Sequence, residues 1–73
     1  MPRSEKRFNC PRFGAALRRE RKAAGLSQSA LAKKLGLTQG AIGNLESGRT
    51  DPRLGVAAAI ANVLGVPIVR LLA

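Results

Sequence analysis

The chain has 73 residues, which is enough for one small domain and too few for two hydrophobic cores. Thirteen lysines and arginines against four acidic residues give a net charge of +9, which favours a polyanionic partner such as nucleic acid or an acidic membrane surface. With no histidine and one cysteine, the chain lacks the ligands of a zinc site and the side chains of acid–base catalysis. We therefore expect no enzyme, no metal and no cofactor.

The sequence pattern also lacks membrane and secretion signals. The longest unbroken apolar stretch, residues 56–61, is far shorter than the roughly 20 residues that span a bilayer. The basic N-terminus leads into polar residues rather than an apolar segment, which is not typical of a secretory signal. A single cysteine, Cys10, cannot form an internal disulfide, as is usual in a reducing compartment. The sequence predicts a cytoplasmic protein.

Residues 1–10 are polar and basic without apolar periodicity, which predicts a flexible basic arm. The arm cations Arg3, Lys6 and Arg7 are either solvated or in contact with a DNA groove, as arms that reach the minor groove are. Residues 11–73 carry the helical patterns that follow and are expected to form one domain.

The first predicted helix begins at Pro11, a residue suited to a first helical turn, and stops at Gly25. Residues at steps of four, four and three share its inward face: Phe13, Leu17, Arg21 and Ala24. One position on this apolar face is therefore an arginine.

The next two predicted helices begin with the same pattern. Each has a hydroxyl N-cap between an apolar residue before it and an apolar residue four positions after it: Leu26, Ser27 and Leu31, and then Leu37, Thr38 and Ile42. Without histidine or another nearby base, these hydroxyls are expected to cap helices and not to act as nucleophiles. Gly36 ends the second helix, and Ser47 and Gly48 end the third. The pattern predicts two short helices joined by a tight turn.

A fourth helix is expected from Pro52 or Leu54 to Leu64, where Gly65 stops it. Its predicted inward face consists of Leu54, Ala57, Ala58, Ala61 and Leu64. A last turn, residues 68–72, ends the chain with apolar side chains that a small monomer cannot fully cover. We expect these side chains to form a two-fold dimer interface: Val66, Ile68, Val69 and Leu72.

The spacing of glycines, caps and apolar residues over residues 13–72 resembles the phage repressor and Cro (XRE-like) family of helix-turn-helix proteins. The resemblance is carried by Gly25, Leu26, Ser27, Gln28, Leu31, Ala32, Leu35, Gly36, Thr38, Gln39, Ile42, Leu45, Glu46, Gly48 and Pro52. It implies an all-α, five-helix, lambda-repressor-like fold whose third helix lies in the major groove of double-stranded DNA.

The resemblance also implies roles for single residues. Base contacts would come from the third helix and its ends: Gln39, Asn44, Thr38 and Ser47. Phosphate contacts would come from the start of the second helix and the loop after the third: Gln28, Arg49 and Thr50. Gly40 and Gly43 stand where relatives often carry polar side chains, so they either permit close backbone approach to DNA or leave recognition to DNA shape.

Arg21 and Glu46 each occupy an otherwise apolar helical face. An unpaired buried charge is expensive, so a structural ion pair between the first and third helices is favoured over a catalytic role for Glu46.

These observations favour a transcriptional regulator, a repressor that binds a palindromic operator as a homodimer, with no membrane and no small-molecule ligand as partner. Two alternatives stay open. An antitoxin would use the same DNA-binding domain and also neutralise a toxin protein, but a toxin-masking tail is missing. A cationic membrane-surface binder would gain helix only with lipid, whereas the repeated caps predict cooperative folding in plain buffer.

Overall fold

The computed structural model describes residues 10–72. This part of the chain contains no strand and five helices: α1 (Cys10–Ala23), α2 (Gln28–Leu35), α3 (Gln39–Glu46), α4 (Leu54–Leu64) and α5 (Val69–Leu72). The predicted all-α, five-helix fold is confirmed. The arm cations Arg3, Lys6 and Arg7 lie outside the described residues. None of the helices in residues 10–72 is long and apolar enough to cross a membrane.

Local hydrogen bonds define the ends of α2 and α3 as the sequence predicts. The side chain of Ser27 accepts a hydrogen bond from the backbone N–H of Ala30 at 3.0 Å, and that of Thr38 accepts one from Ala41 at 3.1 Å. Gly36 closes α2 with φ +70°, a left-handed conformation that costs glycine little. Three residues therefore separate the two helices, and α3 packs closely against α2.

The hydrophobic core lies where all five helices meet, and its large fully buried side chains are Phe13, Leu17, Leu31, Ile42, Ile60 and Leu71. The inward face of α1 is as predicted up to Arg21, which is also buried. Ala24 is exposed, contrary to the prediction, because α1 ends at Ala23 and Ala24 lies in the exposed turn that follows.

The buried side of α4 differs from the predicted one. Ala57 and Ala61 are buried as expected, but the third buried residue is Ile60, while Leu54 is 64% exposed and Ala58 is also exposed. Residues at positions i, i+3 and i+4 share one helical face, so Ala57, Ile60 and Ala61 together form the buried face of α4. Leu54 and Ala58 lie outside this face, on the side away from Ile60.

A glycine in α1 sets how closely α3 approaches. A Cβ atom built at Gly14 would lie 2.6 Å from the carbonyl oxygen of Leu45 and closer still to that of Glu46. A side chain at this position would therefore overlap the backbone at the C-terminal end of α3. The backbones of the two helices meet directly here, a contact that the sequence pattern did not indicate.

An ion-pair cluster connects α5 to α1. The carboxylate of Glu20 lies 3.2 Å from Nε of Arg19 and 3.5 Å from Nη1 of Arg70. Arg19 also donates through Nη2 to the backbone oxygen of Arg70 at 3.3 Å. The side chain of Glu20 is only 8% exposed, so its charge is held in a largely dry position by two arginines. The cluster positions the short C-terminal helix.

Candidate nucleic-acid interface

The third helix presents one polar face to solvent. Ile42 and Leu45 point into the core, whereas Gln39, Gly40 and Asn44 are exposed. Ser47, which follows the last helical residue, is exposed as well. The side chains of Gln39, Asn44 and Ser47, to which the sequence assigned base contacts, are therefore accessible to a partner.

Gln28 connects the start of α2 to the start of α3. Its Oε1 accepts a hydrogen bond from Nε2 of Gln39 at 2.7 Å, and its Nε2 donates to Oε1 of Glu46 at 2.9 Å. The sequence assigned Gln28 to phosphate only, and the structure adds this bridging position. The bridge orients the Gln39 amide and leaves its Oε1 and second N–H for a further partner, because an amide group has two donors and one acceptor oxygen.

Arg21 and Glu46 form a two-pronged ion pair behind this bridge. Arg21 Nε lies 2.5 Å from Glu46 Oε2, and Arg21 Nη2 donates to Glu46 Oε1 at 3.1 Å. Arg21 Nη1 also donates to the backbone oxygen of Leu26 at 2.7 Å. The two side chains are 8% and 5% exposed. This pair connects α1, the α1–α2 turn and α3.

Burial alone raises the pKa of the Glu46 carboxyl, but the hydrogen bonds from Arg21 and Gln28 and the charges of Arg21 and Arg18 outweigh it, so the pKa lies below its ordinary value of 4.5. The hydrogen bond to Glu46 raises the pKa of Arg21, which burial opposes. Both groups are therefore charged at neutral pH, and the pair serves structure rather than proton transfer.

The hydroxyl and loop candidates lie at the two ends of α3. The Thr38 hydroxyl caps the helix, and Ser47 Oγ donates to the backbone oxygen of Asn44 at 3.2 Å. Arg49 and Thr50 are exposed in the loop that follows α3. The backbone N–H of Arg49 donates to the same Asn44 oxygen at 2.9 Å, which holds the start of this loop against the helix.

Sequence reasoning missed a polar cavity beside α3. Its volume is about 250 Å³, and it is lined by Arg18, Arg21, Gln28, Gly43, Glu46 and Ser47. The signal that could have indicated Arg18 is its position three residues before Arg21, since residues at i and i+3 share a helical face.

The predicted dimer residues divide into two groups. Val69 and Leu72 are 60% and 40% exposed. Val66 and Ile68 are half-buried and pack against the core of their own chain. All four side chains therefore keep some surface that their own chain does not cover, and the dimer interface stays a prediction.

A family model described as helix-turn-helix matches residues 17–71. No curated protein matches the chain. Among solved structures, the restriction-modification controller protein C.AhdI from Aeromonas hydrophila is 33% identical, with a TM-score of 0.82 over 86% of this chain and 91% of that one.

Two further solved structures are similar at 28% identity. The clp gene regulator ClgR from C. glutamicum has a TM-score of 0.84 over 89% of this chain and 84% of its own. The DNA-binding domain of BldD has a TM-score of 0.81 over 89% of this chain and 94% of its own. The chain thus spans most of the length of each of these structures.

Proposed function

Because the chain belongs to the helix-turn-helix family and is a DNA-binding regulator of XRE type, we propose that it is a sequence-specific repressor that binds a palindromic operator as a homodimer in the cytoplasm. The observation that carries this proposal is the exposed polar face of α3, on which Gln39 is held in place by Gln28. The major groove of B-DNA admits an α-helix and displays a distinct pattern of donors and acceptors for each base pair.

Base recognition centres on Gln39 in this proposal. Its free Oε1 and second amide N–H match the N6 and N7 atoms of adenine, which glutamine contacts at two points. Asn44 lies five residues along the exposed face and contacts a neighbouring base pair. Thr38 and Ser47 supplement these contacts at the ends of the helix.

Phosphate recognition comes from residues on either side of α3. Gln28 lies in the first turn of α2, where backbone N–H groups and the helix dipole favour an anion. Arg49 and Thr50 are exposed in the loop after α3, and they approach the DNA phosphates from the end of α3 that lies away from Gln39. Beyond the described residues, we propose that the arm cations at positions 3, 6 and 7 add groove or phosphate contacts.

The homodimer uses the exposed side chains of Val69 and Leu72 together with the half-buried side chains of Val66 and Ile68. A two-fold axis through this end would place two copies of α3 about 34 Å apart, one turn of DNA. Occupation of the operator by such a dimer excludes other proteins from the same duplex, which is the mechanism of repression. Catalysis has no part in the proposal, because the buried carboxylates of Glu20 and Glu46 are both held by arginines.

The test begins with selection of bound duplexes from random DNA by the wild-type chain. A palindromic consensus with half-sites one turn apart is expected. Failure to enrich any sequence would refute the proposal. Gln39→Ala should then weaken binding to the selected duplex by roughly 1 to 3 kcal/mol and hardly change binding to random DNA.

Arg49→Ala separates phosphate contacts from base contacts. It should weaken binding to both kinds of duplex and lower the slope of log affinity against log salt by about one per chain. Equal losses on both duplexes for Gln39→Ala, or an unchanged salt slope for Arg49→Ala, would show that the assigned roles are wrong even though the protein binds DNA.

A further inference from the structure

An apolar groove lies on the side of α3 opposite to the polar cavity. Its volume is about 270 Å³, and its apolar walls come from the turn before α3, from α3, from the loop after α3 and from α4: Leu37, Ala41, Leu45, Pro52 and Val56. Leu37 is 36% exposed, and Ala41 and Val56 are half-buried. Residues 10–72 therefore leave part of these walls uncovered, and adjoining apolar surfaces of this kind mark a binding site.

The start of α1 lies close to this groove. A Cβ atom built at Gly48 would lie 3.3 Å from the Cα atom of Pro11. Gly48 donates its backbone N–H to the oxygen of Leu45 at 3.2 Å, and it precedes Thr50, which also lines the groove, by two residues. The point at which the chain enters α1 is therefore next to two segments that form the groove.

The residues before α1 contain one side chain of the right kind within reach. Phe8 lies outside the described residues and is the only large apolar residue between Met1 and Cys10. Three residues from Pro11 to position 8 span up to about 10 Å of extended chain, whereas Gly48 and Thr50 are at most about 7 Å apart. A tether this short gives a high effective concentration, which favours the groove of the same chain over that of another copy.

Charge complementarity favours the same occupant. Residues 1–9 carry three basic side chains and one acidic side chain. Asp51 is exposed and lines the groove, whereas the other two acidic side chains of residues 10–72, those of Glu20 and Glu46, are nearly buried and held by arginines. Because Arg53 also lines the groove, this attraction is local to Asp51, and apolar contact must supply most of the binding.

We propose that the ring of Phe8 packs into the apolar groove of its own chain and fastens the N-terminal arm to the loop after α3 and the start of α4. Packing of the ring removes its surface and the uncovered surfaces of Leu37 and Val56 from water. The contact is made in the free protein and does not use the cations at positions 3, 6 and 7, which the proposed function assigns to DNA.

The experiment uses methyl NMR and urea unfolding of the full chain without DNA. It compares wild type with Phe8→Leu, Phe8→Ala and the control Ser4→Ala, which shortens a neutral side chain of the same arm. Phe8 and Phe13 are the only aromatic residues of the chain, so a ring effect on methyl resonances that Phe8→Leu removes comes from one ring. A further variant, Ala41→Leu, narrows the groove from the side of α3 and leaves the arm unchanged.

The wild-type chain should show nuclear Overhauser contacts from the Phe8 ring to the methyl groups of Leu37, Ala41 and Val56. Phe8→Ala should shift these methyl resonances and lower the urea midpoint by about 1 M, because a partly buried phenyl ring is lost from a small domain. Ser4→Ala should leave both unchanged. In the Ala41→Leu background, Phe8→Ala should no longer change the midpoint, because the ring has already lost its site.

Several results would overturn the proposal. They are the absence of contacts between the Phe8 ring and these methyl groups in wild type, equal midpoints for wild type and Phe8→Ala, and an undiminished effect of Phe8→Ala in the Ala41→Leu background. Contacts that form only between differently isotope-labelled chains in a mixed sample would assign the groove to the arm of another copy. The contacts in wild type decide the matter even if Ala41→Leu does not fold. Because no measurement involves DNA, failure here leaves the proposed function standing.

Discussion

Replacing Glu46 by alanine would leave the guanidinium of Arg21 in a site where it is 8% exposed, with the backbone oxygen of Leu26 at 2.7 Å as its remaining partner. Breaking a buried ion pair costs about 3 to 5 kcal/mol, and the retained hydrogen bond places the expected loss near the lower limit, at about 3 kcal/mol. A domain of 73 residues has a total stability of roughly 4 to 11 kcal/mol. The variant should therefore fold but lose a large fraction of its stability.

Urea unfolding followed by circular dichroism measures this loss. With a slope of about 1 kcal/mol per molar urea for so small a domain, the midpoint should fall by about 3 M. Arg21→Ala should cost a similar amount, because it leaves the Glu46 carboxylate with Gln28 as its hydrogen-bond donor.

The double variant should cost less than the sum of the two single variants by about 2 kcal/mol, since the second replacement removes a charge that the first has already unpaired. The Arg19 and Glu20 pair is a useful comparison, because Arg19 is 62% exposed and Glu20, although buried, keeps Arg70 as a second partner; the coupling between Arg19 and Glu20 should therefore be smaller, about 1 kcal/mol or less. Additivity of Arg21→Ala and Glu46→Ala within about 0.5 kcal/mol would refute the reasoning.

Three further predictions concern pH, packing and assembly. The pKa of Glu46 is lower in the folded chain than its ordinary 4.5, so the stability that the Glu46 carboxylate contributes is complete above pH 4.5 and is lost as the pH falls through the folded pKa. Urea unfolding at decreasing pH should show this decrease in the free energy of unfolding, and Glu46→Gln should abolish the part of the pH dependence that Glu46 causes. Gly14→Ala should lower the free energy of unfolding by about 1 to 3 kcal/mol through overlap with α3. By contrast, a Cβ atom at Gly55 of α4 would meet nothing within 4 Å, so Gly55→Ala should raise the free energy of unfolding by up to about 1 kcal/mol. A lower free energy of unfolding for both variants would contradict the assigned contact between Gly14 and α3. Val69→Asp should convert a concentration-dependent dimer to a monomer in sedimentation experiments, and a wild-type chain that is monomeric at high concentration and on operator DNA would disprove the dimer.

The exposed side of the candidate interface and the Arg21–Glu46 pair behind it were predicted from the sequence, whereas the hydrogen bonds through Gln28 were not. The exposed face of α3 follows from the spacing of Ile42 and Leu45, because a helix with two inward residues three apart must present its other side to solvent. The hydrogen bonds from Gln39 to Gln28 and from Gln28 to Glu46 join residues up to 18 positions apart. Local patterns contain no information on which of these polar side chains meet.

The sequence by itself determined the features that depend on a few neighbouring residues. Ser27 and Thr38 cap helices, and Gly36 and Gly65 end them, because each of these interactions is completed within one helical turn. The order, number and approximate limits of the helices follow from such signals.

Only the tertiary structure decided which sides of the helices face one another. Gly14 touches α3, Glu20 is held by Arg70 at the other end of the chain, and the buried side of α4 is centred on Ile60. Arg18 and Arg19 are adjacent in sequence, yet one lines a cavity with α3 and the other binds α5, since successive residues of a helix point about 100° apart at 3.6 residues per turn. Which direction meets which partner depends on how α1 is placed among the other helices, and that placement results from packing the whole core.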